Sequence, residues 1–335
     1  AQLFLGADQP LRRSLGIRQV ASGTGWLEVA MRDVPRTAFH TLVELDASRP
    51  APLGEALVVP PLSGHFPILL RDMIAGLLPW FRVTVIDWHN VRHVAPEAGA
   101  FGLDSNIATV RGEIERLGPD TTVIGVCQGG VPALAAASLV AAAAPEMAPR
   151  RLILVGAPIE PLANPTRVVT LVRSQPRHWF EATQLDTVPP PFAGTGRRVY
   201  PAHAQLQALW LYLMRTSAQG GEMLGKLMRD DGLEADAHPF LDAFTSIMDL
   251  DARLFVDCMT AIFQDSALAA GVLACEGEIV EPGALTRTRL LTVEGARDDI
   301  AAPGQTSAAL ELACHVRRED KAGLVFDGLG HMSLF

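Results

Sequence analysis

A chain of 335 residues, 49% hydrophobic and 19% charged, can bury one large core and leaves little room for an extended disordered or low-complexity region. Its net charge of −9 argues against electrostatic capture of a polyphosphate backbone, which needs clustered Lys and Arg; Arg150-Arg151 and Arg197-Arg198 are isolated pairs. A neutral substrate suits this balance better than nucleic acid or an anionic membrane surface.

The first residue is Ala1, and the segment after it has no apolar secretory core. Residues 26–31 and 39–45 read as extended stretches around Asp33-Val34-Pro35-Arg36, which is turn chemistry, so a leading hairpin is expected. Three short β-branched runs follow, at 56–59, 83–87 and 122–126, alternating with helical patterns over 68–78 and 107–117. Pro79 should close the first of these helices. Strict alternation predicts βαβ units and a parallel sheet. The apolar run 131–144 is too short for a membrane span, is alanine-rich, and reads as a buried helix. Further strands are expected at 151–155, 289–293 and 324–326. The long gap before 289 must then hold structure of its own, read as a helical cap over about 160–285 in a single domain spanning 1–335. Within the cap, 206–214 and 243–262 have helical periodicity, and Trp179, Phe180, Phe192, Tyr200, Trp210 and Tyr212 are candidates for a satellite core or an apolar groove.

Four cysteines, at 127, 258, 275 and 314, are too scattered for a disulfide framework and show no metal-ligand spacing, so a reducing compartment is the default. Cys127 stands apart. Gly125-Val126-Cys127-Gln128-Gly129-Gly130 is a G-x-C-x-G box where a strand meets a helix, the nucleophile-elbow arrangement of α/β-hydrolases with sulfur in place of a hydroxyl. Glycines flank such a nucleophile because a side chain there would crowd the tight reversal. The following helix favours thiolate and a developing oxyanion at its N-terminus. The backbone N–H of Gln128 is the expected half of an oxyanion hole, and the amide of Leu62 or Ser63, in the loop after the first parallel strand, the other.

In this arrangement the order is nucleophile, acid, histidine, each at a strand end. The acid falls in Gly295-Ala296-Arg297-Asp298-Asp299-Ile300; Asp298 is preferred and Asp299 is the alternative. The base falls in Gly328-Leu329-Gly330-His331. His65, His89 and Asp87-Trp88-His89-Asn90 occupy strand-end loops where substrate contacts are expected. His89 and His93 lack the carboxylate setting of a metal pair, so no metal and no cofactor is expected.

With these residues in place the sequence resembles the intracellular polyhydroxybutyrate depolymerases. The matching strings include Pro61-Leu62-Ser63-Gly64-His65-Phe66, Asp87-Trp88-His89-Asn90, Val126-Cys127-Gln128, Asn164-Pro165-Thr166, Gly196-Arg197-Arg198-Val199-Tyr200-Pro201, Asp298-Asp299-Ile300, Gly304-Gln305-Thr306 and Gly330-His331. The resemblance implies a thiol-based α/β-hydrolase, a mostly parallel sheet flanked by helices, that cleaves short-chain poly(3-hydroxyalkanoate) on cytoplasmic storage granules. Cys127, Asp298 and His331 match its triad. His65, Trp88, Trp179, Tyr200 and Trp210 are the expected substrate contacts. Gly129-Gly130 departs from the family and resembles the polyhydroxyalkanoate synthases, so acyl transfer, with coenzyme A as acceptor, is the alternative to hydrolysis. The family usually continues beyond the histidine, which places His331 on an end expected to fray. A homo-oligomer is compatible with everything above.

Overall fold

The computed structural model describes residues 14–23, 25–49, 52–64, 66–218 and 246–335, with the backbone alone for 211–218. His65, residues 243–245 and the side chain of Tyr212, all singled out above, lie outside what is described.

Strands β1 (Gln19–Ser22), β2 (Gly25–Pro35) and β3 (His40–Ala47) form an antiparallel meander. The hairpin is where the sequence put it, but its turn falls later. β2 runs through Pro35, and the reversal is made where the amides of Arg36 and Thr37 both donate to the His40 carbonyl. Pro35 fits because it ends the strand, where the missing N–H is tolerated.

The parallel part follows, with β4 (Glu55–Val59), β5 (Arg82–Trp88), β6 (Thr122–Val126) and β7 (Arg151–Val155). The cap holds β8 (Asp186–Thr187), β9 (Arg198–Tyr200) and β10 (Leu250–Asp251), and a small hairpin β11 (Ala274–Cys275) and β12 (Glu278–Ile279) follows. The chain then returns to the main sheet as β13 (Arg289–Gly295) and β14 (Lys321–Phe326). Main-sheet order is β1-β2-β3-β5-β4-β6-β7-β13-β14, parallel from β5 onward. Alternate residues of β4 go to opposite cores: Leu57 and Val59 pack under the helices Leu103–Leu117 and Gly130–Ala143, while Ala56 and Val58 pack with the helix Arg71–Leu77. Burial on both faces explains why these strands are continuous apolar runs. The helix Gly130–Ala143 is buried along nearly its whole length, and its alanines let β6 and β7 approach closely.

The cap departs from a purely helical insertion. β10, β9 and β8 form a three-stranded antiparallel sheet. The expected helix over 243–262 is interrupted: β10 occupies 250–251, Asp251 then accepts the amide of Arg253 to start a helix at Ala252–Asp257, and this widens into a π-helix at Cys258–Gln264. An ion pair and a buried arginine fasten this small sheet to the loops after β5. Arg92 meets Asp249 at 2.8 Å; buried Arg197 meets Asp251 at 2.9 Å and donates to the carbonyls of Val94, Ala95 and Gly99.

Candidate active site

The chain leaves β6 at Val126 and turns through Cys127–Gly129 into the helix starting at Gly130. Cys127 has φ 51°, a left-handed conformation that a non-glycine side chain adopts only when its surroundings impose it. Those surroundings are tight. A Cβ at Gly129 would lie 2.4 Å from the Val59 carbonyl oxygen, and one at Gly130 2.3 Å from the Ala157 Cβ. The paired glycines thus have a steric cause, the close passage of the elbow beneath the end of β4 and beside the end of β7.

The other two side chains arrive from the far ends of β13 and β14. Asp298 sits in the turn after β13, and His331 opens the short 3-10 turn His331–Ser333. The two loops are tied together: the amides of Ala296 and Arg297 donate to the carbonyls of Phe326 and Leu329. His331 Nδ1 lies 2.7 Å from Asp298 Oδ2, and His331 Nε2 lies 3.2 Å from Cys127 Sγ. Asp298 Oδ1 accepts from the amides of Ile300 and Ala301, which fixes the carboxylate plane. His331 is 3% exposed, so it lies on no frayed end. Its Nδ1 donates to Asp298, which presents Nε2 to sulfur. Burial alone would depress His331, but the Cys127 thiolate and the Asp298 carboxylate outweigh it and push the imidazole up to about 10.

The acid loop is anchored from below. Glu294, in β13, is buried, and its Oε1 accepts the amides of Gly304, Thr306 and Ser307 at 2.8–2.9 Å. Thr306 Oγ1 in turn accepts the amide of Ala157 and donates to its carbonyl, joining this loop to the end of β7.

Cys127 and His331 open onto a cavity of about 370 Å³ with mostly apolar walls, among them Val168, Val172, Leu254, Phe255, Met259 and Ile300. Leu62, Ser63 and Gln128 line the same cavity. Gln128 lies in the first turn after the elbow, where a backbone N–H has no intrahelical acceptor. Its side chain is drawn aside, Nε2 donating to Cys258 Sγ at 2.7 Å. Burial pushes the Cys258 thiol up, so this sulfur stays protonated.

Of the expected aromatic contacts, Tyr200 lines the cavity, stacked on Phe255 with centroids 3.9 Å apart. Trp88, Trp179 and Trp210 are not among the lining residues. Trp88 is buried in the core against Phe101 and His40, since an indole at the end of a central strand finds more apolar surface inside than at the rim. Trp179 packs on Phe180 in the satellite cluster, and Trp210 is 40% exposed on its helix. His89 is held by Thr41 Oγ1 and the Ala38 carbonyl. Gln205, Met332 and Phe335, which line the cavity, carried no sequence signal. Among the described residues no group of three His, Cys, Asp or Glu is placed to hold a metal, and no helix is long and apolar enough to cross a membrane.

Comparison with solved structures finds a similar fold in 2-hydroxy-6-oxo-6-phenylhexa-2,4-dienoate hydrolase from Rhodococcus sp. strain RHA1, at 16% identity and TM-score 0.51, covering 92% of this chain and 93% of that one. An enol-lactonase from Burkholderia xenovorans LB400 matches at 16% identity and TM-score 0.46, covering 94% and 93%. No curated protein matches the sequence. Residues 156–335, more than half of the chain, match the family model for the PHB de-polymerase C-terminus. The protein therefore belongs to the PHB de-polymerase C-terminus family and is a hydrolase of the α/β-hydrolase fold.

Proposed function

We propose that the protein hydrolyses the ester bonds of poly(3-hydroxyalkanoates) with Cys127 as nucleophile, His331 as acid and base, and Asp298 as the group that orients the imidazole. The observation carrying this reading is the continuous contact from Sγ to Nε2 at 3.2 Å and from Nδ1 to the carboxylate at 2.7 Å, at the wall of an apolar cavity.

The Cys127 thiolate adds to the ester carbonyl carbon, and the resulting oxyanion is received by the amide of Gln128 and that of Leu62 or Ser63. The carbon–oxygen bond breaks, and the departing alkoxide takes the proton of the His331 imidazolium. A hydroxyacyl thioester remains. Neutral His331 then removes a proton from water as it attacks the thioester, the carbon–sulfur bond breaks, and the thiolate–imidazolium pair is restored with release of a hydroxy acid.

A polymer on a storage granule fits the surroundings of the cavity. Val168 lines it while remaining 42% exposed, and Leu171, one turn along the helix Arg167–Ser174, is 63% exposed, giving the rim an apolar face. Gly129 and Gly130 have steric causes in this chain whichever acceptor takes the acyl group. The test is turnover of amorphous polymer by the wild type and Cys127→Ala, with and without coenzyme A. Free hydroxy acid from the wild type and loss of turnover by orders of magnitude in the variant are expected. Product formed only when the thiol is added refutes hydrolysis, and full turnover by Cys127→Ala refutes the nucleophile.

A further inference from the structure

The main sheet ends in two edge strands, β1 and β14. β1 has four residues and reads Gln-Val-Ala-Ser, whereas β14 has six and reads Lys-Ala-Gly-Leu-Val-Phe. An edge presents a row of unpaired N–H and C=O groups, and edges that stay single are short, bulged, or interrupted by proline or charge. β14 carries neither proline nor charge from Ala322 to Phe326. Its consecutive Leu324, Val325 and Phe326 point to alternate faces of the sheet and are 46%, 56% and 45% exposed. The backbone is open along the same edge. The Phe326 carbonyl accepts the amide of Ala296, which turns that residue toward β13. Backbone groups alternate in direction along a strand, so Lys321, Gly323 and Val325 turn theirs outward.

We propose that this edge is covered by a second copy of the chain, β14 pairing antiparallel with β14 of its partner about a twofold axis through Leu324. The residues favour that register. With the axis at Leu324, Ala322 stands opposite the partner's Phe326, Gly323 opposite the partner's Val325, and Lys321 opposite the partner's Asp327, the residue just past the strand. A small side chain thus meets a large one in each off-axis apolar pair, and opposite charges meet at both ends. Lys321 donates to the Leu310 carbonyl at 2.7 Å and keeps two further N–H groups for a carboxylate. The backbone agrees: the outward-facing Gly323 and Val325 form hydrogen-bonded pairs, and Leu324 a non-hydrogen-bonded one, where side chains approach most closely. Moving the axis by one residue spoils the match. Centred on Gly323, it sets Phe326 against Asp320; centred on Val325, it sets Asp327 against Gly323 and leaves Lys321 without an acid. A contact of this kind, made by the same patch on both subunits, closes at two chains and joins two nine-stranded sheets into one. The proposal is independent of the ester-hydrolysis reading.

The test is sedimentation of the full chain over a wide concentration series, read against a chain mass of 35.9 kDa. A species of twice that mass is expected, and it should be lost in Val325→Lys, whose substitution falls on an exposed side chain and should leave the circular dichroism unchanged. Cross-linking tests the register, in a Cys314→Ser background that removes the exposed native thiol. Leu324→Cys should give a disulfide-linked dimer on mild oxidation, because opposed Cα atoms of a non-hydrogen-bonded pair lie about 4.5 Å apart. Ala322→Cys, opposite a phenylalanine, should not. A monomer at every concentration overturns the proposal and leaves the edge to a different polypeptide. A dimer that survives Val325→Lys, a series of higher oligomers, or equal cross-linking at positions 322 and 324 overturns the β14 contact. Should Val325→Lys fail to fold, the wild-type mass and the cross-linking comparison decide by themselves.

Discussion

Gly129→Ala is the smallest change that tests how the elbow is held. The added methyl would lie 2.4 Å from the Val59 carbonyl oxygen and 2.7 Å from that of Pro60. Both are backbone atoms and neither can rotate away. Restoring ordinary contact requires a displacement of about 1 Å between the elbow and the end of β4, the loop that continues into Leu62 and Ser63. Overpacking of this kind costs about 1–3 kcal/mol, which lowers Tm by several degrees in a chain of this size. A shift of about 1 Å at the reacting groups costs roughly 100-fold in kcat. Gly76→Ala supplies the control, because nothing lies within 4 Å of a Cβ there and the residue is inside the helix Arg71–Leu77. The same added methyl should stabilise that helix by about 0.5–1 kcal/mol. Thermal unfolding and ester turnover of the two variants, side by side, decide the matter. Wild-type Tm and kcat in Gly129→Ala, or equal destabilisation at both positions, would refute the steric account.

Asp298→Asn should keep the fold, since an amide oxygen still accepts from Ile300 and Ala301, yet lower kcat by about three to four orders of magnitude by removing the charge that stabilises the imidazolium; a change below 10-fold argues for a different acid. His331 is held at about 10 in the folded chain against 6.5 unperturbed, so its contribution to stability is complete below about pH 6.5 and is lost as pH rises through 10. The Tm gap between wild type and His331→Gln should accordingly narrow over that interval, and a gap that widens contradicts the assignment. Glu294→Leu leaves three buried or part-buried amides without their acceptor and should destabilise by roughly 3 kcal/mol, whereas Glu294→Gln retains an acceptor and most of the stability; equal melting of the two variants would show that the carboxylate does not hold the loop.

Much of the sheet was legible because its central strands are buried on both faces. The runs at 122–126 and 151–155 coincide with β6 and β7, where every residue but Gly125 and Arg151 is β-branched or aliphatic. The elbow and the loops of Asp298 and His331 could be read locally, since each is a strand end followed by a tight turn. The cap was harder. Its sheet pairs β9 with β10 across about 50 residues, and the stretch from Ile247 to Leu250 has an apolar pattern that suits helix or strand equally until Asp251 caps the next helix. Trp88 was misplaced because a tryptophan beside a loop gives no local sign of the aromatic neighbours that draw it inward. Gln205 left no trace for a related reason: its partners, Tyr200 and Met248, come together only through tertiary folding.

The near-complete burial of His331 has a consequence for the order of events. The imidazole is 3% exposed and lines the cavity that it shares with Cys127. Under the thioester mechanism proposed above, a leaving chain in that space would shield the thioester from premature attack and keep the imidazole's proton for the departing oxygen. On that proposal a water molecule takes the place of the leaving chain once it has withdrawn, and the cycle runs in one order: leaving alcohol out, water in, acid released.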